Sequence, residues 1–314
     1  MKKHLAFWWL ALILVTGCTL ATPAEKITIR VALLPILDGL PIVVAQQEGL
    51  FKKYNVQVEL IPVGSAPERD QLIAAGQADA MINELTSVMF LNKETPQVQA
   101  VRFARTATTD QALFRILAAK GAGIQGVSDL KGIAVGVSQA TVIEYLTQRL
   151  LEQQGFQAGE IQMVSVPKIP DRMALLASGE LKAAMLPEPF STLAEQQGAI
   201  PILDDTVAPE YSFSLISFRK AVIDQHPQVV KGFLAAVEEA TQRINADPQK
   251  YSTLMVDQKM VPAPLAESFR VPTYPLKGVP TADQFADALA WAQSKGYLKV
   301  DLVYSDCVNP NLLP

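Results

Sequence analysis

Ten polar residues stand where strands end and helices begin: Asp38, Ser65, Asn83, Glu84, Thr86, Arg105, Ser138, Gln139, Thr141 and Glu188. Their chemistry is that of holding a small molecule. Three carboxylates accept hydrogen bonds, one guanidinium donates them, and the hydroxyls and amides do both. Asp38 and Glu84 could in principle serve as an acid–base pair, but the remaining machinery of an enzyme is missing from the sequence. Its two histidines are His4 and His226, and the second directly precedes Pro227 at a helix start. No Gly-x-Ser-x-Gly elbow, Walker-type phosphate loop or metal-spaced His/Cys/carboxylate set occurs. Catalytic residues, cofactors and metals are therefore not expected.

Several of the ten have a second reading. Ser65, Asn83 and Ser138 also suit helix N-caps, as does Asp171, and Ser65-Ala66-Pro67-Glu68 has a capping-box pattern. Asp38, Glu84 and Glu188 would favour the positive ends of the helices that follow them. Arg105 reads more readily as a surface or lobe-closing ion pair than as a ligand clamp.

The elements that position these residues repeat once along the chain. Strand Ile27 to Leu34, a turn, and a helix from Pro41 ending at Gly49 are matched by strand Ile133 to Val137 and a helix ending at Gly155. Val56 to Val63 then corresponds to Ile161 to Val166. Leu72-Ile73-Ala74-Ala75-Gly76 before Ala78-Asp79-Ala80-Met81-Ile82 corresponds to Leu175-Leu176-Ala177-Ser178-Gly179 before Lys182-Ala183-Ala184-Met185-Leu186. Strands alternating with helices imply right-handed crossovers and a mainly parallel sheet in each copy. Ligands of such sheets bind beyond the carboxyl ends of the strands, which is where the ten residues fall. From Pro227 an amphipathic helix precedes breaks at Pro248, Pro262 and Pro264, and this last third is expected to wrap the first lobe.

With 314 residues, 49% hydrophobic and 18% charged, the chain is long enough for two cores. Its net charge of −4 becomes −6 if the first seventeen residues are removed, since Lys2 and Lys3 leave and no acid does. Basic residues are scattered, which argues against nucleic acid. Met1-Lys2-Lys3-His4, the apolar run Leu5 to Val15 and then Val15-Thr16-Gly17-Cys18 have the layout of an export leader. As a helix that run would reach about 16 Å, against roughly 30 Å for a bilayer core. Cys18 and Cys307 are the two cysteines, so a disulfide between them is one reading in an oxidising compartment.

The cysteine after small residues also resembles the bacterial lipobox. That resemblance implies cleavage after residue 17, two acyl chains on Cys18, a tether over residues 18–26, and Cys307 left as a lone packing thiol.

The mature chain resembles the solute-binding components of bacterial ABC importers, in the nitrate, sulfonate, taurine and thiamine-pyrimidine-precursor branch. The segments that carry the likeness are Ala45-Gln46-Gln47-Glu48-Gly49-Leu50-Phe51, Ile73-Ala74-Ala75-Gly76-Gln77-Ala78-Asp79, Val127-Ser128-Asp129-Leu130-Lys131-Gly132, Pro187-Glu188-Pro189-Phe190 and the run from His226 to Leu234. The resemblance implies an α/β protein of two Rossmann-like lobes, periplasmic binding protein-like of type II, with a ligand cleft between them. Two crossovers would lie near Ala118 to Gly123 and near Tyr211 to Ser217. Lobe one would comprise residues 26–120 and 218–314, and lobe two residues 121–217.

The implied partners are a small solute, an ABC permease in the cytoplasmic membrane and the bilayer that anchors Cys18. The protein itself would be an exported monomer. Asp38, Glu84 and Glu188 suit an amino-bearing heterocycle such as a pyrimidine vitamin precursor, whereas Arg105 and helix N–H groups suit a sulfonate- or nitrate-type anion. The expectation favours the nitrogenous nutrient, although the nearest aromatics, Phe190 and Tyr211, offer little stacking. A lipid-anchored sensor, or a pyrimidine-synthesising enzyme of the same fold, stands as the alternative.

Overall fold

The computed structural model describes residues 27–314. The leader, Cys18 and the tether lie outside the described residues.

The first half runs β1 (Thr28–Leu33), α1 (Leu40–Gln47), α2 (Leu50–Lys53), β2 (Gln57–Pro62), α3 (Ala66–Ala74), β3 (Ala80–Asn83), α4 (Leu85–Leu91) and β4 (Val98–Thr106). The second runs β5 (Phe114–Ala118), β6 (Ala134–Val137), α5 (Val142–Gln153), β7 (Gln162–Ser165), α6 (Ile169–Ser178), β8 (Ala183–Pro187), α7 (Phe190–Gln196) and β9 (Ile200–Asp204). The chain closes with β10 (Phe213–Arg219), α8 (Lys220–Gln225), α9 (Pro227–Ala246), α10 (Ser252–Asp257), α11 (Ala282–Ser294) and α12 (Tyr304–Cys307).

Two five-stranded sheets result, ordered β2-β1-β3-β10-β4 and β7-β6-β8-β5-β9. Within each, the first three strands pair in parallel and the fourth is antiparallel to its neighbours. That antiparallel strand is in each case the one entered directly from the other sheet. The duplication seen in the sequence therefore has a structural counterpart. Gly76 and Gly179 end equivalent helices at φ values of 68° and 80°, a left-handed turn that glycine makes without steric cost.

The crossovers sit earlier than expected. Phe114–Ala118 was placed in lobe one, but β5 pairs with β8 from Phe114↔Pro187 to Ala118↔Ala183 and so belongs to the second sheet. The first passage therefore lies between β4 and β5. The second lies between β9 and β10, and β10 from Phe213 is already part of the first sheet.

Helix starts also differ from the expected caps. Ser65 does cap α3, accepting from Glu68 N, while the Glu68 carboxylate accepts from Gly64 N. The residue at the start of α4 is Glu84 rather than Asn83, which is still the last residue of β3. Thr141 rather than Ser138 caps α5, and Lys168 rather than Asp171 precedes α6.

Of the last third, α9 does pack on the first lobe, against α1 and α2. It lies so close that a side chain at Gly232 would come within 2.8 Å of Tyr54 O. The expected wrap around one lobe fails at α11, which packs on α4 and also reaches α5 of the second sheet's lobe. There Asp287 accepts from Tyr145 Oη at 2.7 Å and Arg149 Nε at 2.9 Å, and Trp291 Nε1 donates to Gln148 at 3.1 Å. One apolar cluster consequently runs from Met81 and Leu85 through Phe285 and Trp291 to Leu146 and Leu150. Among the described residues, no helix is long and apolar enough to cross a membrane.

Candidate functional site

The carboxyl ends of both sheets face a shared cleft of about 800 Å³, counting solvent at its mouth. One side is built by the turn after β1 (Leu34, Ile36, Asp38), the start of α3 (Gly64, Ser65, Arg69), the end of β3 (Asn83, Glu84) and Arg105 on β4. The other is built by Ser138, Thr141 and Val142 around the start of α5, Pro167 and Ile169 after β7, Pro187 at the end of β8 and Glu188 directly after it. The strands that enter from the opposite lobe contribute Phe114, Phe213 and Ser214. Every expected residue except Thr86 and Gln139 is thus brought to one place.

Thr86 is buried beside the cleft, facing a small crevice that Tyr145 and Tyr211 also line. Two residues beyond Glu84 on a helix, its side chain points to a different face. Gln139 is exposed and lines a separate surface depression with Glu144 and Gln148. Phe190 does not line the cleft, and the aromatic walls come from Phe114 and Phe213 instead.

Charge in the cleft is mostly neutralised internally. Arg69 donates to both Glu84 oxygens at 3.0 and 3.2 Å, to Asp70 at 2.8 Å and to Ile82 O at 3.1 Å. Burial alone would lower its affinity for a proton, but the carboxylates of Asp70 and Glu84 outweigh burial and raise it. Beneath this pair, Ser217 donates to Asn83 at 2.6 Å, Asn83 to Ser87 at 3.1 Å and Ser87 to Asp70 at 2.9 Å. Asn83 is thus held by both neighbours while it lines the cleft. Glu188 Oε2 accepts from Thr192 at 2.7 Å, and Oε1 faces the Arg115 cation at 2.6 Å without a hydrogen bond to it.

Arg105 is different. It is only 2% exposed, so it is not the surface ion pair expected, and its contact to Asp38 Oδ1 is long at 3.5 Å. Asp38 precedes α1 on the same side of the cleft, so this pair does not close the lobes onto one another. Arg105 Nε has no hydrogen-bond partner within the protein. Tyr274 donates to Leu37 O at 2.7 Å and fixes the turn that carries Asp38. Burial raises the Tyr274 hydroxyl far above the usual phenol range, so it stays a donor.

Sequence reasoning missed Arg69, although four residues after the Ser65 cap places it on the same helix face. It also missed Phe114, Phe213, Ser214 and Tyr274, which reach the site through strand pairing and the return of the C-terminal segment. His226 precedes α9 and is absent from the cleft lining. Among the described residues, no group of three or more His, Cys, Asp and Glu is arranged to hold a metal.

Comparison with known proteins adds the following. A model of the NMT1-like family matches residues 22–255. A candidate thiamine biosynthesis protein of Haemophilus influenzae is 24% identical over 254 residues, covering 78% of each chain. The alkanesulfonate-binding protein of Xanthomonas axonopodis pv. citri, bound to MOPS, superposes with a TM-score of 0.76 at 15% identity, covering 91% of this chain and 99% of that one. The zinc-bound ligand-binding component of an ABC-type import system from Staphylococcus aureus gives 0.74 at 17% identity, covering 91% and 97%. The shared fold is that of the periplasmic binding proteins, with two α/β lobes. Other solved structures it resembles are named as periplasmic sulfonate- and nitrate-binding proteins, and one as a desulfurization enzyme.

Proposed function

The chain belongs to the NMT1-like family, and from that premise we propose that it is the extracytoplasmic solute-binding component of an ABC importer, tethered to the membrane through Cys18. The observation that carries the reading is a single cleft lined from both sheets at the carboxyl ends of their strands. Contacts from both lobes favour the form that a permease recognises. The site residues are Asp38, Ser65, Asn83, Glu84, Arg105, Ser138, Thr141 and Glu188, joined by Arg69, Phe114, Phe213 and Ser214. An enzymatic role for this fold would need an activated group, and the histidine of the described residues stands away from the cleft.

The solute is a compact nitrogenous heterocycle of the pyrimidine-precursor type. Arg69 is committed to Glu84 and Asp70, and Glu188 to Arg115, so Arg105 and Asp38 remain as one opposed pair with no surplus cation. A sulfonate or nitrate would have to take Arg105 from Asp38. Phe114 and Phe213 supply apolar walls for a planar ring.

Thermal-shift measurements with aminopyrimidines, ethanesulfonate, taurine and nitrate test the assignment. A cognate ligand at a hundred times its Kd adds about 2.7 kcal/mol of stability. Aminopyrimidines should raise the Tm, and stabilisation by sulfonates or nitrate alone would overturn the choice of solute.

A further inference from the structure

Besides Glu188 Oε1, which has only its ion contact with Arg115, two buried polar atoms in the cleft lack any hydrogen-bond partner within the protein, Arg105 Nε and Ser214 Oγ. They belong to residues directly opposite one another on the antiparallel strands β4 and β10. Opposite residues of an antiparallel pair project from the same face, with their Cβ atoms about 5 Å apart. A register shift follows immediately, between Ser214 and Leu215, and such bulges re-aim side chains. The guanidinium N–H and the hydroxyl do not bond each other, although each is a buried group for which an unmade hydrogen bond is costly. Beside them, Asp38 Oδ1 lies 3.5 Å from Arg105 Nη1, beyond good hydrogen-bond length, and so keeps capacity to accept.

We propose that Arg105 Nε–H and Ser214 Oγ–H converge on one acceptor atom of the solute while Asp38 receives an N–H next to it. The β4–β10 pair then reads a neutral acceptor–donor edge, such as that of an amide or an amino-substituted ring. This deepens the importer reading and rests on the same cleft. The opposed charges of Arg105 and Asp38 select a neutral edge over an anion, because an anionic oxygen would face the Asp38 carboxylate.

The test combines titration calorimetry with melting of the ligand-free protein. The probes are 4-aminopyrimidine, which has the edge, pyrimidine, which lacks the amino donor, and ethanesulfonate. Binding of 4-aminopyrimidine should exceed that of pyrimidine, and S214A should weaken it roughly 3- to 10-fold. R105K, which removes the Nε donor, should weaken it by about 10-fold or more, and the S214A/R105K double variant should lose less than the product of the two. Without ligand, S214A should melt within about 1 °C of the parent protein, because its hydroxyl has no internal bond to lose.

Equal affinity of parent and S214A for the bound probe would overturn the shared acceptor, and so would a ligand-free S214A melting several degrees lower. Binding of ethanesulfonate alone would overturn the neutral edge. If none of the probes bound, the choice of solute would fall, and the ligand-free melting of S214A would still decide whether the hydroxyl is held for a ligand.

Discussion

The two halves of the molecule use the same arginine in opposite electrical settings. In the first, Pro67-Glu68-Arg69 opens α3 and Arg69 reaches back to Ile82 O at 3.1 Å. In the second, Pro170-Asp171-Arg172 opens α6 and Arg172 reaches Met185 O at 2.8 Å, in each case thirteen residues along. Fifteen residues after Arg69 stands Glu84, and fifteen after Arg172 stands Pro187. Arg69 therefore has carboxylates on two sides, while Arg172 has the carbonyls of Met185, Val166 and Pro167 and leaves Nη2 unbonded. Burial pulls the Arg172 guanidinium down to about 10. The helix-to-strand lacing is a backbone device common to both halves, and only the first half adds a counter-charge and turns it into an ion network at the cleft wall.

Breaking the two laces separately should give unequal losses. Arg69→Met leaves Glu84 buried without its cation and is expected to cost about 3–5 kcal/mol in denaturant titrations. Arg172→Met removes a buried cation that has no carboxylate partner and gives up only carbonyl contacts, about 1–3 kcal/mol. Equal costs would mean that the second half hides a counter-charge.

The seam between the halves gives the next effect. Asp205, between β9 and β10, accepts from Leu113 N at 2.9 Å, Phe114 N at 3.0 Å and Ser212 Oγ, and so ties both passages together. Burial pushes its carboxyl up to about 6 in spite of these donors. The folded state thus holds the proton more tightly than the unfolded chain, whose Asp titrates near 3.9. The resulting stabilisation is fully present below about pH 4 and is lost as pH rises through about 6, on the order of 3 kcal/mol in all. Urea melts across that range should show the loss in the parent protein and not in Asp205→Asn.

The smallest contrast lies at the helix starts. Ser65 caps α3 with its hydroxyl, whereas the equivalent Lys168 gives α6 no side-chain cap. Ser65→Ala should cost about 1 kcal/mol and Lys168→Ala less than about 0.5 kcal/mol. Matching losses would remove capping as a difference between the halves.

What the sequence disclosed follows the range of the interactions involved. The duplication was legible because Gly76 and Gly179 are dictated by local turn geometry, and the strand-end rule located Asp38, Glu84 and Glu188 without knowledge of the sheets. Pairing was not legible. The segment Phe114–Ala118 fell within the expected first lobe, and only its partners β8 and β9 assign it to the second sheet. Ser214 escaped notice for the same reason, since its meaning lies in facing Arg105 across a ladder. Ser138 and Asn83 were displaced as caps because the strand and its turn extend past them before the helix begins, a boundary that propensity fixes poorly.

Trp291 is the only tryptophan among the described residues and is 1% exposed, with its ring 5.3 Å from that of Tyr145 on α5 and 5.8 Å from that of Tyr297. Since α11 rides on α4, that indole is carried by one body and shielded by the other. In a chain that begins at Cys18, where Trp8 and Trp9 are absent, its emission should therefore serve as a built-in optical gauge of how far the bodies stand apart, readable without any attached label.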